Sequence, residues 1–190
     1  TVFYDNPFDL DENLEKINGL VKYSRRAGAA DWRVSLSAYD AQWTSTDQVP
    51  LRAIESGQIP RLGFIDPDLG GETTRIALTG GLKIGDWSAS AYAIYYDFAL
   101  FSNFPSLPSA PVNGHGCELP DERVAVGGAL DYETPIRFAG KPATLRIGTD
   151  LRYDDIFTVG LFNTAGRQRL STVRDDEVRE FSVGGFAEIE

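Results

Sequence analysis

The chain is poor in the groups that most chemistry needs. It holds one Cys (Cys117), one His (His115) and no Met. One thiol closes no disulfide within the chain. One imidazole leaves little room for a Ser/His/Asp arrangement: His115 sits in a Gly-rich stretch with no positioned Ser or base beside it, so no catalysis is expected. His115 and Cys117 together are too few ligands for a closed metal site, and no cofactor motif occurs. Positive charge is also scarce. Eighteen Lys and Arg face 28 Asp and Glu, a formal net charge of −10, which argues against a nucleic-acid partner and against a polybasic membrane anchor. No apolar run approaches the 18 or so residues of a transmembrane helix; stretches such as 91–96 are short. Transmembrane strands are not excluded by this, because they alternate and never look hydrophobic as a whole.

What is present is period-two alternation, which recurs far more than helical spacing. Seven strands are predicted: about 15–25, 30–41, 73–84, 86–101, 122–133, 145–154, and one starting near Val178. The sixth is the clearest. Leu145, Ile147, Thr149, Leu151 and Tyr153 alternate with Arg146, Gly148, Asp150, Arg152 and Asp154. The third sets Ile76, Leu78 and Leu82 against Arg75 and Lys83, and the fifth sets Val124 and Val126 against Arg123 and Asp131. In the fourth, Tyr92, Ile94, Tyr96 and Phe98 are taken as the apolar face, with Asp97 on the other. The apolar sets are expected on the convex side of a curved, open, antiparallel meander, and the charged sets on the concave side.

The connections alternate in length. Short ones fall near 27–31, at Gly85-Asp86 and, at modest length, over 134–142. Long ones fall at 44–72, 102–121 and 157–177. Tight turns on one side and long loops on the other are the pattern of a transmembrane barrel segment. Tyr23, Trp32, Trp87, Tyr96, Phe98, Phe101, Tyr132 and Tyr153 lie near strand ends, where barrels carry aromatic girdles. Two other readings stay open: a soluble β-sandwich binding module, whose strands also alternate, and a small standalone barrel or channel, which an odd strand count disfavours.

The long connections hold the most particular letters. They include Ala38 to Pro50, Gly63-Phe-Ile-Asp-Pro67, Gly70-Gly-Glu-Thr-Thr-Arg75, Leu100-Phe-Ser-Asn-Phe104, Pro111-Val-Asn-Gly114, Asp150 to Ile156 and Arg167 to Arg179. In order and spacing, from about Asn18 to Phe186, these resemble the barrel domain of TonB-dependent outer-membrane receptors. The resemblance implies one domain over residues 1–190, part of a larger barrel whose plug and remaining strands lie elsewhere. It implies a place in the bacterial outer membrane, in contact with its lipid. It also implies uptake of a bulky nutrient such as an iron–siderophore, powered by TonB through the absent plug.

Ligand contacts, if this piece makes them, are expected from the long loops and the upper concave wall, because substrate arrives from outside. Arg52, Arg61, Arg167, Arg169 and Arg174 are the candidates, with Trp43 and Phe162 as stacking partners. Arg offers planar donors suited to carboxylates or phenolates, and aromatic rings offer flat apolar area. The alternative is that these arginines pair with nearby acids and only order the loops. The runs Asp66-Pro-Asp68, Asp154-Asp155 and Asp175-Asp-Glu177 could hold Ca²⁺ or could simply be solvated. Arg33, Arg75, Arg123, Arg146 and Arg152 are expected to form a cross-strand ion-pair lattice with Asp97, Asp131 and Asp150, or an anionic-ligand or plug-docking surface.

Overall fold

The computed structural model describes residues 1–4, 9–103 and 116–190. They form one antiparallel sheet of eight strands, each hydrogen-bonded to its neighbours in chain order, and the first and last strands do not pair. The strands are β1 (Val2–Tyr4), β2 (Leu14–Ala27), β3 (Ala30–Thr44), β4 (Gly70–Ile84), β5 (Trp87–Ser102), β6 (Gly116–Phe138), β7 (Lys141–Ala165) and β8 (Gln168–Ile189). Among the described residues a single five-residue helix, α1 (Leu51–Glu55), lies between β3 and β4. No described helix is long and apolar enough to cross a membrane. The seven expected strands are β2 to β8; β1 is a three-residue addition paired to Leu14–Lys16.

Turn chemistry sets the registers. Gly28-Ala29 and Gly85-Asp86 are two-residue hairpin loops with positive φ at the glycine. Ala139-Gly140 and Gly166-Arg167 have positive φ at both positions, the type I′ arrangement whose twist matches the flanking strands. The last turn changes one expectation. The stretch 157–177, read from sequence as a long loop, is strand up to Ala165 and strand again from Gln168. Its alternation is blurred by an extra residue: the registers of β7 with both neighbours shift around Ile156 to Val159. A bulge of this kind bends a strand without ending it.

Pairing sorts every strand into two faces. Gly19, Val21 and Tyr23 of β2 align with Ala38, Leu36 and Val34 of β3, and the face runs on through Trp32 to Ala38 of β3, Ile76 to Ile84 of β4, Trp87 to Tyr95 of β5, Val124 to Tyr132 of β6, Leu145 to Tyr153 of β7 and Phe181 to Ile189 of β8, taking alternate residues in each. No Asp, Glu, Lys or Arg falls on this face within those bounds, and Arg25, level with Trp32, stands at its short-turn edge. The opposite face carries Lys22, Arg33, Arg75, Lys83, Arg123, Asp131, Arg146, Asp150 and Arg152.

One strand reverses the expectation. In β5 the residues on the apolar side are Trp87, Ala89, Ala91, Ala93 and Tyr95, with Asp97 above them; Ile94 and Phe98 point to the charged side. Both faces of β5 are apolar in letters, small alanines on one and large rings on the other, so periodicity could not choose. The Gly85-Asp86 hairpin chose, by pairing Ile84 with Trp87.

The two faces are packed differently. Ala77 and Ala125 on the charged side are 4% exposed, whereas Leu78 on the apolar side is 49% exposed. Glycines tell the same story. A Cβ on Gly127 would lie 2.5 Å from Tyr92 Oη, one on Gly148 2.6 Å from the Phe186 ring, and one on Gly184 2.7 Å from Asp150 Oδ1, all on the charged side. On the apolar side Gly19 meets nothing within 4 Å, Gly80 and Gly185 only a carbonyl at 4.0 and 3.7 Å, and Gly128 backbone atoms and an Ala91 Cβ, the nearest the Ser90 carbonyl at 2.8 Å, with no large side chain. Side chains that converge on one face and splay on the other mark a sheet curved toward the first. The charged face is the concave one.

Candidate functional site

At the long-loop end, the connection 45–69 is tied to the sheet by polar contacts. Asp47 accepts hydrogen bonds from Ser102 Oγ (2.7 Å) and Asn103 N (2.9 Å); Asp66 accepts from Asn103 Nδ2 (3.0 Å) and from Asp68 N (2.9 Å). Ser102 and Asn103 are buried, and so is Leu69. Of the acidic runs seen in the sequence, the Asp66–Asp68 pair is thus engaged in loop architecture. Asp154 and Asp155 point to opposite faces and pair with Arg152 and Arg179. Asp176 pairs with Arg174.

The candidate arginines separate into two groups. Arg167, in the β7–β8 turn, donates Nε to Asp68 O (2.7 Å) and a terminal nitrogen to Leu69 O (3.1 Å), and its guanidinium lies 4.9 Å over the Phe101 ring. Arg169 grips Glu118 with two bonds of 2.7 Å and stacks 3.9 Å over the buried ring of Phe162. Charge-assisted bidentate bonds of this length are the strong kind. The hydrogen-bonded carboxylate of Glu118 strengthens Arg169's hold on its proton, and burial opposes it. These side chains latch the hairpin tip to the neighbouring strands and loop. Phe101, Glu118 and Phe162 share a register row that continues the apolar side of the sheet upward. Trp43 lies on the other, concave side, with its indole over Gly71. Arg52 and Arg61 are exposed, with no side-chain hydrogen bond or ion pair to the described residues. The structure therefore brings Arg169 and Phe162 together and leaves Arg52, Arg61 and Trp43 apart from them. Asp47, Ser102 and Glu118 were not singled out from sequence; the continuing alternation of 118–121 was the available signal. His115 lies outside the described residues.

The concave wall is a polar surface in which ion pairs run along strands as often as across them. Arg123 pairs with Asp121 and Arg152 with Asp154 (2.6 Å), each two residues away on the same face; Arg146 reaches across to Asp131 (3.3 Å). Same-face neighbours on one strand sit about 6.6–6.8 Å apart, within the reach of an Arg side chain. Ser35 and Thr79 hydroxyls bridge β3 and β4 at 2.6 Å. Toward the short-turn end this wall opens into a cleft of about 440 Å³ lined by residues of β2 to β6. Among the described residues, no group of Asp, Glu, Cys and His side chains is arranged to hold a metal ion.

The convex wall is bounded by rings. At the short-turn end Tyr23 and Trp32 pack with tilted rings, centroids 5.0 Å apart, and Trp87 and Tyr132 likewise, centroids 4.8 Å apart. At the other end stand Tyr95, Tyr153 and Phe181, and beyond them Asp40, Asp97, Glu122 and Asp155. Tyr96 and Phe98, also expected in such a girdle, stack on each other at 6.1 Å on the concave side instead. No protein-family model matches the chain, and neither a curated protein nor a solved structure matches it.

Proposed function

We propose that this sheet is a section of the wall of an outer-membrane β-barrel, with the convex face against lipid and the concave face lining a wet lumen. The observation that carries the reading is the band of the convex face between its two rows of rings, which carries no charge, with Arg25 and the acids Asp40, Asp97, Glu122 and Asp155 at its edges. Seven adjacent strands present Leu, Ile, Val, Ala, Gly and aromatic side chains there, half or more exposed in many cases, between two rows of rings. In water, so large a contiguous apolar surface is rare and unfavourable. In a bilayer it is the required outside of a barrel, and the polar inside is its usual complement. A soluble sandwich would cover this face with a second sheet, and the described residues form only one.

The finer reading is that the barrel belongs to a TonB-dependent receptor that takes up a bulky nutrient. It is supported by the order and spacing of the loop residues named above. The strands β6, β7 and β8, at 22 to 25 residues, also exceed the 9–11 or so needed to cross the hydrocarbon layer. They would carry a ledge well beyond the membrane, as a receptor for large ligands needs. On that ledge the 45–69 connection holds Arg52 and Arg61 free for a ligand, while Arg167 and Arg169 hold its architecture and Arg174 pairs along its own strand with Asp176.

The three tryptophans give a direct test. Trp32 and Trp87 are on the convex face at the short-turn girdle, and Trp43 is on the concave face at the other end. In vesicles of lipids brominated along the acyl chain, Trp32 and Trp87 fluorescence should be quenched. The Trp32→Phe/Trp87→Phe double variant, which leaves Trp43, should be largely unquenched. Equal quenching of Trp43, or none of the other two, refutes the membrane reading.

A further inference from the structure

We propose that the cleft at the short-turn end of the concave wall is an anion-binding site, built to take a small solute bearing two or three phosphate or carboxylate groups. Lys22, Arg33 and Lys83 line it, on three successive strands. The register places them on one slanting line. Lys22 pairs with Ser35, two residues from Arg33; Arg33 pairs with Gly81, two residues from Lys83. Diagonal neighbours of this kind stand about 7–8 Å apart, a spacing that matches the anionic groups of a polyvalent oxyanion.

The charge around the cleft is not balanced by the protein. Two carboxylates also line it, Asp31 and Asp131, and both are already committed. Asp31 accepts three bonds from Arg26, and Asp131 pairs with Arg146. Lys83 sits opposite Asp31 in the ladder but forms no ion pair with it. Among the described residues, Lys22, Arg33 and Lys83 have no ion-pair partner, whereas Arg123, Arg146 and Arg152 further along the same wall each have one. Three neighbouring cations without an ion-pair contact, of which only Lys83 has a carboxylate (Asp31) near enough to feel its charge, repel one another in a chain of net charge −10. An anion held between them reverses that penalty.

The site is also shaped. The Arg33 side chain lies across Gly81, so that a Cβ there would come within 2.8 Å of Nε. Only a glycine lets the Arg33 side chain lie against the wall here, where it lines the cleft. Ser24, Ser88 and Ser90 add hydroxyl donors around the rim. Planar Arg donors with Lys charges and hydroxyls are the recognised chemistry of phosphate and carboxylate capture. The inference concerns the concave wall alone and does not rest on what covers the convex one.

The test uses the full chain folded in an uncharged detergent, with pyrophosphate and citrate as probes in separate equilibrium-dialysis arms. Both should bind, with affinity falling as salt rises; binding of one alone identifies phosphate or carboxylate as the ligand group. The Lys22→Gln/Arg33→Gln/Lys83→Gln variant should lose at least about tenfold in affinity. A control carrying Lys16→Gln, Arg137→Gln and Lys141→Gln has the same net charge and should bind as the parent does. Gly81→Ala changes no charge but displaces the Arg33 guanidinium, and should weaken binding several-fold even if the triple variant fails to fold. Binding of neither probe, or equal losses in the cleft and control variants, or full binding by Gly81→Ala, overturns the proposal.

Discussion

Replacing Leu78 by Arg asks directly which medium the convex face meets. Leu78 lies on β4 in register with Leu36 and Ala93, and half of its surface is open. From Ile84 beside the short-turn girdle to Thr74 at the charged boundary is about ten residues, or roughly 33 Å of strand. Tilted by about 35–45°, that is roughly 23–27 Å of height, which agrees with the apolar band of about 25 Å on membrane barrels. Leu78 is then within about 3 Å of the mid-plane. An Arg at that depth costs roughly 2–4 kcal/mol, about 30- to 700-fold in the folding equilibrium. Were the face in water, the same substitution at an exposed site would change stability by no more than about 0.5 kcal/mol. Thr79 is the internal control. One residue along, it points to the concave side and bonds Ser35, so Thr79→Arg should cost only about 0.5–1.5 kcal/mol for that bond. Urea titrations of the protein in phospholipid vesicles, followed by tryptophan fluorescence, measure both. A Leu78→Arg penalty under about 0.5 kcal/mol, or a larger one for Thr79→Arg, would refute the reasoning.

Three further outcomes follow from the same coordinates. Gly148→Ala should destabilise by about 1–3 kcal/mol, since its Cβ would meet the Phe186 ring and Asp131, whereas Gly80→Ala, facing open space, should be neutral or stabilising by up to about 1 kcal/mol; equal effects in a denaturant titration would contradict the assigned curvature. Arg167→Ala should free the 45–69 connection from Asp68 and Leu69, seen as faster hydrogen exchange and protease cleavage there with little change in the sheet; unchanged protection would show that Asp47 and its partners hold the loop alone. The thiol of Cys117, at the upper end of β6, is pushed up by burial and by the nearby charge of Asp47. Its alkylation rate should therefore rise only above the ordinary thiol range, and Asp47→Asn should move that rise to lower pH; an inflection at or below the usual value would count against the packing described here.

Much of this architecture is dictated locally. The alternation in 145–154 and 73–84 assigns both strand and face, because period two with charged and apolar residues in opposite phase has only one solution. Gly28, Gly85 and Gly140 mark the hairpins by their need for positive φ. Other features required the assembled sheet. β5 is apolar on both sides, and only its pairing with Ile84 and Tyr132 put the alanines outside and Ile94 inside. The 157–177 stretch looked like a loop because a bulge breaks the alternation, and pairing with β6 and across the Gly166-Arg167 hairpin supplies the hydrogen bonds that make it strand. Whether an arginine is free or committed is likewise invisible in one dimension. Arg33 and Arg152 read alike along their strands, yet one lies unpaired across Gly81 and the other is bonded to Asp154. Side-chain period is a property of a single strand, whereas ion pairing and the inward choice of face depend on which strands lie alongside and on the direction in which the sheet curves.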